Sequence, residues 1–317
     1  MSTQINKSKL KTVRVSSPGT VANLVCGFDV LGLCLEAPAD EMTLSLIKEK
    51  EVRIQSADGY DLPTDPMQNT AGAPLVEMLQ ELKADFGFEL LIKKNIKPGS
   101  GIGSSAASAA GAVVAANFLL DDVFSKDQLV RFAMSGEKVA SGVKHADNVA
   151  PCIYGGITLI RSIFPLDIVP IAAPELWVTV VHPQIEVRTS DARQILKKQV
   201  LLKDAIKQWG NIAGLVAGFM KQDYALIGRS LEDVIIEPVR SILIPGFADV
   251  KKQSKAAGAL GGGISGSGPS IFMLSIDKAT AEAVKKEMHH IYEKIGLEHH
   301  VYVTTINQQG VKIIPEV

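Results

Sequence analysis

Residues 97 to 119 read KPGSGIGSSAASAAGAVVAANFL, and no other stretch of the chain constrains its fold so tightly. Gly99, Gly101 and Gly103 alternate with Ser100 and Ile102, so this loop can take backbone conformations closed to residues that carry a Cβ. From Ser104 the composition turns to alanine, valine, asparagine, phenylalanine and leucine, which predicts a buried helix over 104–119. A glycine loop running into a helix N-terminus leaves free N–H groups aimed at one spot, and that spot suits an anion. The same residues also describe a plain turn before a core helix, with Ser104 and Ser105 as helix caps. Neither familiar phosphate loop is present. No Gly-Lys-Ser/Thr follows Gly103, and the spacing is G-x-G-x-G rather than G-x-G-x-x-G.

Around this loop the pattern alternates strands and helices. Residues 12–17, 41–48, 51–56 and 88–94 carry strand periodicity, residues 69–86 carry helical spacing, and a further helix near 126–140 precedes a strand at 156–162. Three prolines across 163–175 mark a domain boundary, and we divide the chain into residues 1–165 and 166–317. The second part reads as a strand at 176–183, helical patterns over 189–232 and 246–257, two strands around a glycine turn, a helix at 278–295 and a strand at 300–306. Extra helices apart, that order is β-α-β-β-α-β.

With 317 residues, 46% hydrophobic and 21% charged, the chain is long enough for two cores. A net charge of −1 with no basic run gives no reason to expect a nucleic-acid or anionic-membrane partner. Cys26, Cys34 and Cys152 lack metal-ligand spacing, and their odd number argues against a disulfide framework. The first residues contain no apolar signal-like core, and no apolar run reaches membrane-spanning length, so the expected setting is the cytoplasm with reduced thiols. His182, His289, His290, His299 and His300 have no metal-ligand context and are expected to be packed or solvated.

Three segments, in order, carry a family resemblance. PGSGIGSSAAS (98–108) resembles the glycine motif of the GHMP small-molecule kinases, which include galactokinase, homoserine kinase, mevalonate kinase and phosphomevalonate kinase. SSPGTVANLVCGFDVLGLCL (16–35) resembles their N-terminal substrate motif, and GALGGGISGSGPSIFML (258–274) their C-terminal glycine motif. The resemblance implies an α+β two-domain fold: an N-terminal ATP-binding α/β domain similar to part of a ribosomal protein, and a ferredoxin-like C-terminal domain. Within the family, GEKVASGVKHADNVAP (136–151), RTSDARQIL (188–196) and IEPVRSILIPGF (236–247) are similar to homoserine kinases. Gly19, Val21 and Val25 depart from the usual motif, which has Ala, Ser and Gly there, whereas Asn23, Gly27 and Asp29 keep to it.

The resemblance implies a kinase that uses ATP and Mg2+ to phosphorylate the hydroxyl of L-homoserine, giving O-phospho-L-homoserine on the route to threonine; the sequence leaves the oligomeric state open, a homodimer among the readings. Lys97, Pro98, Gly99, Ser100, Gly101 and Ile102 would hold the nucleotide phosphates together with Gly103, Ser104, Ser105, Ala106 and Ala107. Asn69 would touch the nucleoside. Glu137 and Ser105 would be the metal ligands, a carboxylate and a hydroxyl being enough for a cation that keeps its waters. An acceptor with an ammonium, a carboxylate and a hydroxyl asks for an acid, a cation and a neutral hydrogen-bonding group. Asp29 and Asn23 suit the ammonium, Arg193 and Arg240 the carboxylate, and His145, Asn148 and Thr189 complete the pocket. Asn148 is set to hold the hydroxyl, with direct proton transfer to phosphate in a loose transition state; Asp147 is its rival as a base. Two other readings stay open. A mevalonate-type kinase would have no ammonium for Asp29 to meet, and a catalytically silent relative could lose Glu137, Ser105 and Asn148.

Overall fold

A computed structural model describes residues 11–57 and 60–315. The first part contains strands β1 (Thr12–Ala22), β2 (Leu31–Ile47), β3 (Val52–Ser56), β4 (Gly87–Lys93), β5 (Ile157–Ile163) and β6 (Leu166–Ile171). Its helices are α1 (Gly72–Leu82), α2 (Ser104–Leu119), α3 (Lys126–Ser141) and α4 (Val149–Tyr154). The second contains β7 (Trp177–Pro183), α5 (Thr189–Gln194), α6 (Leu202–Lys221), α7 (Tyr224–Ser230), α8 (Glu237–Arg240) and α9 (Phe247–Ala256). There follow β8 (Gly261–Ile264), β9 (Ile271–Ser275), α10 (Lys278–Ile295), β10 (His299–Thr305) and β11 (Lys312–Ile314).

Seven strands form one sheet. Its main path is β11-β1-β2-β4-β3, and β2 also pairs with β5, which pairs with β6. The expected division after residue 165 falls inside the β5–β6 hairpin, whose register joins Ile163 to Leu166. Strand β11 also returns to pair with β1, Val15 opposite Ile313. Pro165 lies in the β5–β6 turn, and Pro170 sits in an outer strand that pairs on one side only, where a missing N–H is tolerated. The first sheet therefore takes in residues to about 171 and strand β11.

Helix α2 is buried on nearly every side because its residues are small. A Cβ on Gly111 would come within 2.8 Å of the Met42 sulfur and 2.9 Å of Ser17 Cβ, and Ser17 Oγ donates to the Ala107 carbonyl at 2.6 Å. Such an approach lets α2 lie directly against β1 and β2, which fixes where its N-terminus points. Helix α3 starts on a capping box between Ser125 and Gln128 and ends on Gly142 at φ 80°.

The second sheet has the order β10-β7-β9-β8, all antiparallel. Numbered along the β-α-β-β-α-β repeat that is 4-1-3-2, the ferredoxin-like arrangement. On β9, Phe272 and Leu274 face a core shared with Leu31, Leu33 and Leu35 of the first unit, while Ile271 and Met273 face α9 and α10. Period-two alternation thus packs one face of this sheet on its own helices and commits the other to the neighbouring unit.

Candidate active site

A cleft of about 400 Å³ opens where the two units meet. The glycine loop and the first turn of α2 form one wall. Residues of α3 and the segment before α1 line the end beside it, and Phe28, Asp29, α5, α8 and the 266–267 turn line the opposite end.

At the first end, Gly99, Gly101 and Gly103 take φ of 75°, 82° and 71°. Alternating left-handed residues make a concave nest of N–H groups. Helix α2 follows with Gly103 at its N-cap and no side chain capping it. Its first intrahelical bond is Ala107 N–H to the Gly103 carbonyl at 2.8 Å, so the amides of Ser104, Ser105 and Ala106 have no intrahelical acceptor. Ser104 is not a cap, because its hydroxyl donates to the Ile96 carbonyl at 2.9 Å. Pro98, Gly99, Gly101, Gly103, Ser104 and Ser105 line the cleft. Lys97, Ser100, Ile102, Ala106 and Ala107 are outside its lining, although Ala106 keeps a free backbone amide at the helix start. Lys97 reaches Gln184 Oε1 at 2.6 Å, Ser100 is buried with its carbonyl bonded to Ser270 Oγ at 2.6 Å, and the other three face the core. The C-terminal glycine motif braces the loop from behind. Ser265 Oγ donates to the Gly101 carbonyl at 2.7 Å, and a Cβ on Gly101 would lie 2.5 Å from the Gly268 oxygen.

Glu137 reaches the cleft from α3, because Gly136 beside it lets the helix close onto the Thr70 carbonyl, 2.2 Å from where a Cβ would stand. Its carboxylate is buried rather than solvated. Burial pushes its pKa up, opposed by a hydrogen bond with the Ser105 side chain, and Oε1 has no partner. A buried carboxylate oxygen without a partner beside a hydroxyl is a donor set suited to a hard divalent cation. Among the described residues no cluster of three or more His, Cys, Asp or Glu could hold a metal, so any such ion would complete its shell with water and phosphate. Below lies a buried ion pair, Lys94 with Asp40. Lys94 Nζ also donates to the Ser104 carbonyl and to Ser108 Oγ, both at 3.0 Å, anchoring the first turn of α2.

At the other end, one nitrogen of Arg193 donates to both oxygens of Asp29, at 2.8 and 2.9 Å. His145 Nδ1 stands 3.9 Å from the same carboxylate, and burial lowers the His145 pKa. Asn23 accepts from the Asp29 N–H at 3.0 Å and donates to the Gly266 carbonyl at 2.8 Å. Arg240 is buried and donates to the carbonyls of Ala192 (2.9 Å) and Gly266 (3.2 Å). Burial and the neighbouring Arg193 lower its pKa to about 10, so it keeps its charge at neutral pH. It does not pair with nearby Glu237, which pairs with Lys251. Thr189 Oγ1 meets Ser267 Oγ at 3.3 Å, and Asn148 Oδ1 accepts from Thr20 Oγ1 at 2.8 Å. All seven residues expected around the acceptor therefore line one cleft. Asp147 lines it too, its carboxyl pushed up to about 7 by burial and then by the charges of Asp29 and Glu137.

Asn69 lines the cleft, but its side chain is engaged: Oδ1 accepts from Ala71 and Gly72 N–H, and Nδ2 donates to the Pro63 carbonyl. Asn23, Leu24 and Val25 all have positive φ, and Val21 and Val25 are buried in the core between the units. Three contributors escaped the sequence reading. Phe28 lies under both arginines, 4.8 Å from the Arg240 guanidinium carbon and 5.3 Å from that of Arg193. Thr20 orients Asn148, and Lys94 with Asp40 supports α2. Phe28 adjoins Asp29 in the substrate motif and was findable; a buried Lys–Asp pair separated by 54 residues carries no local signal.

Residues 69–156 match the GHMP kinases N terminal domain, and residues 215–294 the GHMP kinases C terminal. A homoserine kinase of Chloroherpeton thalassium is 47% identical over 96% of this chain and all of its own length. One of Xanthomonas campestris is 40% identical over 96% and 95% of the two chains. The crystal structure of homoserine kinase from Cytophaga hutchinsonii shares 48% identity, covers 97% of this chain and 98% of its own, and superposes with a TM-score of 0.93. L. major mevalonate kinase, at 17% identity and a TM-score of 0.68, shares the fold. Fold and cleft define a two-domain small-molecule phosphotransferase of the GHMP class. Within that class, the chain belongs to the homoserine kinase family.

Proposed function

We propose that this chain transfers the γ-phosphoryl group of ATP to the hydroxyl of L-homoserine, yielding O-phospho-L-homoserine on the route to threonine. One observation carries the reading: an acid and two guanidinium groups share a single cleft with a glycine-loop nest and a buried carboxylate. The free helix amides and the nest would hold the phosphates. In the structure Arg193 and Asp29 satisfy each other, and an acceptor bearing both charges can replace that contact with its own ammonium on Asp29 and its carboxylate on Arg193 and Arg240. Asn148, steadied by Thr20, would orient the hydroxyl, whose proton passes to a phosphoryl oxygen in a loose transition state.

Glu137 and Ser105 would hold Mg2+, which when bound neutralises charge developing on the phosphates. Among the described residues no helix is long and apolar enough to cross a membrane, and a cytoplasmic setting belongs to the same reading. The test is coupled ADP release with homoserine, mevalonate and galactose in turn. Release with homoserine alone, and only with magnesium, supports the proposal. Preference for mevalonate, or release without any acceptor, refutes it.

A further inference from the structure

Helix α6 buries Ala205, Gln208, Leu215, Gly218 and Phe219, and only Gln208 among them has a polar side chain. Gln208 Nε2 donates to the Cys26 carbonyl and to Asp233 Oδ1, both at 2.9 Å, and Oε1 accepts from the Val234 N–H at 3.1 Å. Acceptors on one side and a donor on the other fix which way the amide points. Lys207 and Asn211 of the same helix reach the Glu232 carboxylate and the Glu232 carbonyl, both at 2.8 Å. Gln208 thereby ties together two stretches far apart in sequence. One is the loop leading from Cys26 to Phe28 and Asp29, and the other is the turn leading from Asp233 to Arg240.

Asp233 is itself buried, and besides Gln208 its carboxylate gathers the N–H groups of Ile235, Ile236 and Glu237 at 2.8, 3.0 and 2.9 Å. These bonds draw the chain into the turn that starts α8. Ile236 links the turn to the cleft, because its N–H is held by Asp233 and its carbonyl accepts from the Arg240 N–H at 3.0 Å. From this short helix the Arg240 guanidinium reaches the Ala192 and Gly266 carbonyls and lies over Phe28. Neither Asp233 nor Gln208 lines the cleft, so each acts through its neighbours. We propose that Asp233 is a positioning residue for the acceptor's carboxylate, setting Arg240 in place, and that Gln208 holds this arm of the cleft in register with the arm bearing Asp29. The proposal rests on the reading that Arg240 meets that carboxylate. A guanidinium fork recognises a carboxylate only in the right plane, so a small tilt of α8 weakens recognition without touching the phosphates.

Steady-state kinetics with homoserine and with the amino alcohol that is homoserine without its carboxylate test the proposal. Asp233→Asn keeps the shape but turns an N–H donor onto backbone N–H groups. It should lower kcat/KM for homoserine roughly ten- to hundredfold, through KM, and for the amino alcohol less than about threefold. Arg240→Met should likewise harm homoserine use far more than amino-alcohol use. Adding Asp233→Asn to Arg240→Met should cost nothing further, because the two residues act in series. Gln208→Met keeps the volume but frees both arms, so use of both acceptors should fall while KM for ATP stays within about twofold. Equal losses on the two acceptors for Asp233→Asn, or a further loss on the Arg240→Met background, would mean that Asp233 serves only the fold, and would overturn the proposal. If Asp233→Asn does not fold, Gln208→Met decides alone: unchanged acceptor use, or KM for ATP rising with that for the acceptor, overturns it. An Arg240→Met enzyme that prefers homoserine as strongly as wild type refutes the carboxylate reading itself, and the proposal falls with it.

Discussion

Arg193→Leu separates acceptor recognition from both phosphoryl transfer and fold. In the structure Arg193 meets Asp29 through one nitrogen, while its Nε is buried without a partner. Its side chain is 37% exposed and that of Asp29 35%, so the resting ion pair contributes only about 0.2–1 kcal/mol and stability should barely change. With homoserine bound, the same arginine would face a carboxylate in a partly closed pocket over Phe28. Losing that charge-assisted contact costs about 2–4 kcal/mol, or roughly thirtyfold to a thousandfold in kcat/KM. Arg193→Lys should recover part, since a point charge cannot reproduce a fork. The decisive assay uses the matching amino alcohol, which lacks the carboxylate. Wild type should use it poorly, and Arg193→Leu about equally poorly. Equal harm to both acceptors, weakened ATP binding or a large drop in melting temperature would refute the assignment.

Glu137→Gln should lower kcat on the order of a hundredfold without loss of stability, because the buried charge it removes is itself unfavourable; near-normal turnover at limiting magnesium would exclude Glu137 from metal binding. Gly101→Ala should cost about 2–4 kcal/mol in urea unfolding, combining a left-handed φ with a Cβ 2.5 Å from the Gly268 oxygen. Gly99→Ala meets nothing within 4 Å and should cost only about 1–2 kcal/mol; equal losses would show that the brace from Gly268 is immaterial. His182 is buried on β7, and burial lowers its pKa from 6.5 to about 4. A depressed folded pKa means stability that is present above pH 6.5 and is lost as the pH falls towards 4, on the order of 3 kcal/mol in all. His182→Gln should flatten that loss in denaturation at pH 7 and pH 4.5; an unchanged slope would mean that other groups govern it.

Helix α2 matched its expected limits because a glycine loop begins it and its small residues admit only a crowded interior. The ferredoxin-like order of the second sheet was legible for a similar reason, since α10 and its flanking strands have clean periods. The boundary expected after residue 165 rested on three prolines, of which Pro165 lies in a turn, Pro170 in the outer strand β6 and Pro174 in the loop after it, and a three-residue strand such as β11 has too few positions to show a period. The acceptor residues came from motif resemblance; their convergence depends on contacts between residues as far apart as Asn23 and Gly266. Side-chain direction was least visible. Gly99, Gly101 and Gly103 line the cleft at positive φ, while the intervening Ser100 and Ile102 are buried away from it.

The central claim is that one cleft brings an amino-acid hydroxyl to the γ-phosphoryl group of ATP. Phosphorus NMR of a complete reaction tests it most directly. With ATP, magnesium and L-homoserine, ADP should appear together with one new phosphomonoester signal, split by the two protons of the hydroxyl-bearing methylene, in equal amounts. Inorganic phosphate in place of that signal, or a phosphate ester formed equally well from an acceptor without the ammonium and carboxylate, would contradict the account.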